Sequence, residues 1–166
     1  MDLNLLIDDA DMILIGLGSE FKKECDLKFE SEKDRLACFD SLAKRLEGKN
    51  YFFITSLEED IVKGSNIKET KTVNPVITGE DKQFTYYNNW LAASLNKKLL
   101  IIELGEDFLR PNLMRWPFER IVMINQKSHL VRVSSKFAQL PEDIGDRAFS
   151  ISLSPLDYLE NELISK

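Results

Sequence analysis

Short apolar runs alternate with longer amphipathic stretches along this chain. Five runs are apolar almost throughout: MILIG (residues 12–16), YFFIT (51–55), KLLIIELG (98–105), HLVRVS (129–134) and AFSISL (148–153). Runs this short, rich in β-branched and aromatic residues, predict strands buried on both faces of a parallel sheet. Between them the pattern shifts to the helical period. Leu36, Phe39, Ala43 and Leu46 share one helical face, behind Ser31 and Asp34 at capping-box spacing, with Gly48 as a stop. Phe84, Tyr87, Leu91 and Leu95 mark another helix. SLEEDIVKGS (56–65) reads as a short helix, a further helical stretch is expected from Ser19, and residues 110–124 read as a turn and a short helix. Ser154 ahead of Pro155 opens a closing helix carrying Leu156, Leu159 and Leu163. Residues 66–81, with Pro75 and Gly79, show no regular period, and their conformation stays open. Strands alternating with helices predict one α/β domain over residues 1–166. Its expected form is three layers: a mostly parallel sheet of about five to six strands with helices on both faces.

Composition narrows the partners. Of 166 residues 43% are hydrophobic and 30% charged, with a net charge of −6, which argues against a nucleic acid as the main partner. No apolar run approaches the roughly 20 residues of a membrane span. Asp2, Asp8, Asp9 and Asp11 are unlike a signal peptide, so a cytoplasmic protein with reduced thiols is expected. Cys25, Cys38 and His129 are too few for a structural zinc site, so no zinc is expected.

In open parallel sheets ligands bind beyond the carboxyl ends of the strands. Those ends carry Gly16, Leu17, Gly18 and Ser19; Thr55 and Ser56; Glu103, Leu104, Gly105 and Glu106; and Ser134 and Ser135. Glycines let backbone N–H groups approach a phosphate, and hydroxyls can bond ribose or phosphate oxygens. The stretch GLGSEF keeps two glycines of a phosphate fingerprint but has Phe21 at the third position, so a simple turn stays open as the alternative. Elsewhere the expected roles are structural. His129 lies at the amino end of its strand, Glu58, Glu59 and Asp60 sit at a helix start, and Cys38 packs beside an apolar face. Glu20, Lys22, Lys23 and Glu24 form a solvated face, and Trp116 and Phe118 of RWPFE pack over the sheet end.

The order of these pieces resembles the sirtuin-like family of NAD-binding proteins. ADMILIGLGSEF looks like that family's opening strand and GAG loop, and YFFITSLEED like its T-x-N-x-D strand end. LLIIELGEDFLRPNLMRWPFE is similar to the LELG, P and PFE segments of divergent bacterial members. HLVRVSSKFAQLPEDIGDRAFSISLSPLDYL is similar to the family's closing strand, P-E-x-I stretch and last helix. The resemblance implies a Rossmann-like fold with NAD or ADP-ribose as cofactor, held by Gly16, Leu17, Gly18, Ser19, Thr55, Ser56, Gly105, Glu106, Ser134 and Ser135. Ser56 and Glu58 stand where the family has Asn and Asp, Ser134 replaces an Asn, and no histidine lies near Ile61. The zinc cysteines and the covering loop after the GAG turn have no counterpart. The expectation is therefore a sirtuin-like protein without deacetylase activity that binds NAD or ADP-ribose weakly. The alternative is an NAD-consuming enzyme, an ADP-ribosyltransferase or NAD hydrolase, assisted by an acid near Glu58. A third reading is an interaction module that presents RWPFE to a protein partner or to a second copy.

Overall fold

The computed structural model describes residues 1–22 and 32–165. The expected strands form as β1 (Met12–Leu17), β2 (Tyr51–Thr55), β4 (Leu99–Leu104), β5 (His129–Val133) and β6 (Ala148–Ile151). A two-residue strand, β3 (Thr72–Val73), pairs with β2 inside the stretch that had shown no period. All neighbours run parallel, in the order β3-β2-β1-β4-β5-β6. The chain winds outward from β1 in one direction and from β4 in the other. The gap between the ends of β1 and β4 is thus the topological switch point.

Side chains alternate between two apolar layers, as the two-residue strand period requires. Ile13, Ile15, Phe53, Ile102 and Val131 pack under α1 (Leu3–Asp9), α2 (Glu32–Arg45) and α6 (Pro155–Leu159). Leu14, Ile54, Ile101 and Leu130 pack under α4 (Lys82–Ala92) and α5 (Arg115–Ile124); a one-turn helix, α3 (Pro75–Thr78), precedes α4. The result is a Rossmann-like, three-layer α/β sandwich. The buried strands hold two opposed charges, Glu103 on β4 and Arg132 on β5, which stand opposite each other in register. Helix α1 was not foreseen. Asp2 caps it by accepting from the Asn4 and Leu5 N–H groups, and Leu3 and Ile7, four apart, are fully buried.

Two helix expectations need correction. Residues 56–65 form turns, because Thr55 Oγ1 accepts the Leu57 N–H and Ser65 Oγ donates to the Val62 carbonyl. Such local bonds compete with the helical ladder. Gly64, at φ 89°, then turns the chain while Leu57, Ile61 and Val62 enter the core. Glu58, Glu59 and Asp60 therefore stand at no helix start. After Ser19 only a single 3₁₀ turn, Ser19–Phe21, is present among the described residues. The Ser31 cap, Cys25, Lys23 and Glu24 lie outside them. Ser154 caps α6 as expected, accepting from the Asp157 N–H.

Candidate functional site

The strand ends converge on the switch point. The Gly18 N–H donates to the Leu104 carbonyl at 2.8 Å, the Ser56 N–H to Leu17 at 3.3 Å, and the Gly105 N–H to Val133 at 2.7 Å. The loops after β1, β2, β4 and β5 thus stand side by side. Gly16 has its own structural reason. A Cβ there would lie 2.8 Å from Met114 Sδ and from the Phe118 ring, so its bareness lets α5 settle on β1. Gly18 is pressed against the next loop, where a Cβ would lie 2.6 Å from the Glu106 nitrogen. Gly105, at φ 72°, occupies the left-handed region that favours glycine, directly beneath the Glu20 side chain.

The candidate residues divide into two groups. Thr55 and Ser134 are turned to their own backbone: Thr55 Oγ1 accepts from Leu57, and Ser134 Oγ accepts from Lys136 and Phe137. Leu17 is buried in the core beneath α2 and supplies only its carbonyl. Gly18, Ser19, Ser56, Gly105, Glu106 and Ser135 meet around the switch point. Ser19 Oγ donates to the Gly105 carbonyl at 3.4 Å, and Ser56 Oγ donates to Glu106 Oε1 at 3.1 Å.

Glu20 was expected on a solvated face, and the structure corrects this. It is only 8% exposed and lies inside the crevice. Its carboxylate accepts the Ser135 N–H at 3.1 and 3.2 Å, together with the Ser135 hydroxyl. The side chain therefore occupies the space between β1 and β5 beside the glycine turn, and it brings negative charge where a pyrophosphate would need donors.

Glu106 is the site's most unusual group. It is 2% exposed and faces no cation at contact distance among the described residues. Oε1 accepts from Ser56 and from the Asp107 N–H, while Oε2 has no partner among the described residues. Burial pushes the carboxyl up to about 7, against two hydrogen bonds that pull it down. It lines a shallow cleft together with Ser19, Lys22, Ser56 and Arg110, which encloses no room even for a water. Arg110 and the exposed Glu58 close the rim with an ion pair at 2.8 Å. Sites for drug-sized ligands span about 300–1,000 Å³. As folded, this slot has no room for a ligand, and a group that reaches Glu106 Oε2 must first part the Arg110–Glu58 rim.

Beside the slot lies a second polar cluster that the sequence reading did not assemble. Arg132, fully buried, donates through Nε and Nη2 to both Glu103 oxygens at 2.8 and 2.9 Å, and through Nη1 to Glu119 at 2.7 Å. Arg115 Nη1 stands 3.5 Å from Glu103, while its Nη2 donates to the Phe137 carbonyl at 2.7 Å. Its guanidinium also stacks on Phe108, 4.2 Å from the ring centre. The cluster ties β4, β5, α5 and the loop after β5 together. Charged residues inside apolar runs, Glu103 in LLIIEL and Arg132 in HLVRV, were its only sequence signal. In RWPFE, Phe118 is buried but Trp116 is 56% exposed, so Trp116 does not pack over the sheet end. His129 sits at the amino end of β5, and Cys38 is a buried thiol raised to about 11, chiefly by burial.

No protein-family model matches the chain, and no curated protein matches it. Among the described residues, no helix is long and apolar enough to cross a membrane.

Proposed function

We propose that this chain is a sirtuin-like binding protein without deacetylase activity, which takes the ribosyl end of ADP-ribose or NAD weakly at the β1/β4 switch point. The observation that carries this reading is the buried Oε2 of Glu106, without a partner among the described residues, an acceptor beyond the carboxyl ends of β1 and β4 where open α/β sheets bind ligands. An unpaired buried carboxylate oxygen gains a donor when a hydroxyl enters. Weak affinity follows from what stands in the way. The Arg110–Glu58 pair is exposed, and solvent screening lets it open readily. Glu20 is buried on Ser135, and any ligand phosphate must displace it or meet its charge. The lack of deacetylase chemistry rests on the missing base. The position of the family's histidine falls near Ile61, which is 1% exposed in the core, and the chain's one histidine stands at the opposite end of the sheet.

Calorimetry of the full chain with ADP-ribose and with NAD tests this. The expected result is millimolar-range binding that Glu106→Gln abolishes and Glu20→Ala strengthens about tenfold, with no deacetylation of an acetyl-lysine peptide. Absence of binding to both the natural chain and the Glu20→Ala variant overturns the binding reading; turnover of the peptide overturns the other half.

One observation favours a second reading, an NAD-consuming enzyme. A buried carboxyl raised to about 7 is poised for general acid–base work near neutral pH. In that reading Glu106, rather than an acid near Glu58, assists, and nicotinamide release from NAD is measurable and lost in Glu106→Gln.

A further inference from the structure

On the far side of β2 from the switch point, α2, the turn before β2 and residues 66–71 enclose a groove of about 780 Å³. Four lysines line it, Lys44, Lys49, Lys68 and Lys71, against two acids, Asp40 and Glu47. In a chain of net charge −6 this is a local inversion of sign. None of the four ammonium groups forms an ion pair among the described residues; Lys49 Nζ donates only to the Asp8 carbonyl, at 3.0 Å. Asp40 accepts the N–H of Asn66, another residue of the groove wall, at 2.7 Å. A helix C-terminus attracts cations, which accounts for Lys44 near the end of α2. It does not account for Lys68 and Lys71, which arrive from a separate segment and bring like charges together. At the groove floor, the Tyr51 hydroxyl makes no hydrogen bond among the described residues, leaving a donor beside the lysines.

We infer that this groove binds a compact polyanion, a small molecule carrying two or more phosphate groups. Its volume lies within the range of small-molecule sites. Its four ammonium groups come from two separate segments and can engage more than one phosphate, and its concave shape favours a compact ligand over an extended strand. The site is independent of the switch-point slot and of what binds there.

Titration of the full chain with sodium tripolyphosphate, followed by calorimetry at low and moderate salt, tests the inference. The expected result is one site per chain, weakened by added salt. A Lys68→Ala/Lys71→Ala variant binds at least tenfold more weakly. A Lys97→Ala/Lys127→Ala variant, which removes the same charge from exposed positions away from the groove, binds as the natural chain does, and circular dichroism confirms that both fold. Absence of binding overturns the inference, and so does equal weakening in both variants, which marks diffuse electrostatics. Tighter binding of a single-stranded oligonucleotide than of tripolyphosphate also overturns it, in favour of a nucleic-acid surface. ADP-ribose binding that persists in Lys68→Ala/Lys71→Ala and is lost in Glu106→Gln reports on the slot alone.

Discussion

Glu103 and Glu106 stand three residues apart at the end of β4, and both are nearly sealed from water, at 1% and 2% exposure. Their surroundings differ in kind. Glu103 points into the α5 face, where Arg132 grips both of its oxygens and Arg115 stands at 3.5 Å. Glu106 lies in the loop, with Ser56 and one backbone N–H on one oxygen and no partner among the described residues on the other. A buried carboxylate matched by a guanidinium is a structural tie, retained because breaking it strands a charge. A buried carboxyl without a counter-ion gives up its charge instead, and its free lone pairs remain open to a ligand. Burial alone does not separate a charge held in an ion pair from a carboxyl that gives its charge up; the partner does.

Substitutions at the two positions sharpen this contrast. The largest effect is expected from Glu103→Ala, which leaves Arg132 and Arg115 facing each other in the interior. Loss of one partner of a buried pair costs about 3–5 kcal/mol, read as a lower urea midpoint. A loss under about 1 kcal/mol would show the cluster to be dispensable.

Glu106 is expected to act in the opposite sense. Its folded-state value of about 7 lies above the ordinary 4.5, so the folded chain holds this proton more tightly than the unfolded one. The stability tied to this group is therefore full below about 4.5 and falls as pH rises to about 7, by roughly 3 kcal/mol in all. Glu106→Gln removes that slope, so the variant matches the natural chain near pH 4 and is the more stable of the two at pH 8. Urea unfolding at the two pH values measures the difference. A natural chain with no decline over this window would remove the contrast between the two acids.

The smallest effect belongs to Ser56→Ala. It deletes one hydrogen bond to Glu106, worth about 1 kcal/mol. That bond favours the ionised form, so its loss moves the carboxyl further up. A carboxyl-carbon NMR titration reads the shift directly, and an unchanged or lower midpoint would show that Ser56 does not hold the charged form.

Much of the fold was legible because it depends on local pattern. The five apolar runs were long enough to be strands and too short to be helices, and their alternation with the helical period required a layered sheet. The two-residue β3 was not legible, since it exists as a strand only through its pairing with Phe53 and Ile54. Residues 56–65 were misread because acids and apolar residues at helical spacing look alike whether they wind or turn; Thr55, Ser65 and Gly64 decided for turns. At the site, the glycines and Glu106 stood out by position at strand ends. Glu20 did not, because the donor that draws it inward, Ser135, lies 115 residues away.

The sequence by itself determined the layers, the parallel strands and the set of loops that gather at one end of the sheet, because strand length, apolar period and capping act over a few residues. Tertiary structure alone decided which charges are paired, which buried carboxyl oxygen lacks a partner among the described residues, and that Glu20 fills the crevice beside Gly105. Those outcomes depend on desolvation and on contacts between segments far apart in the chain, and neither is set until the segments pack.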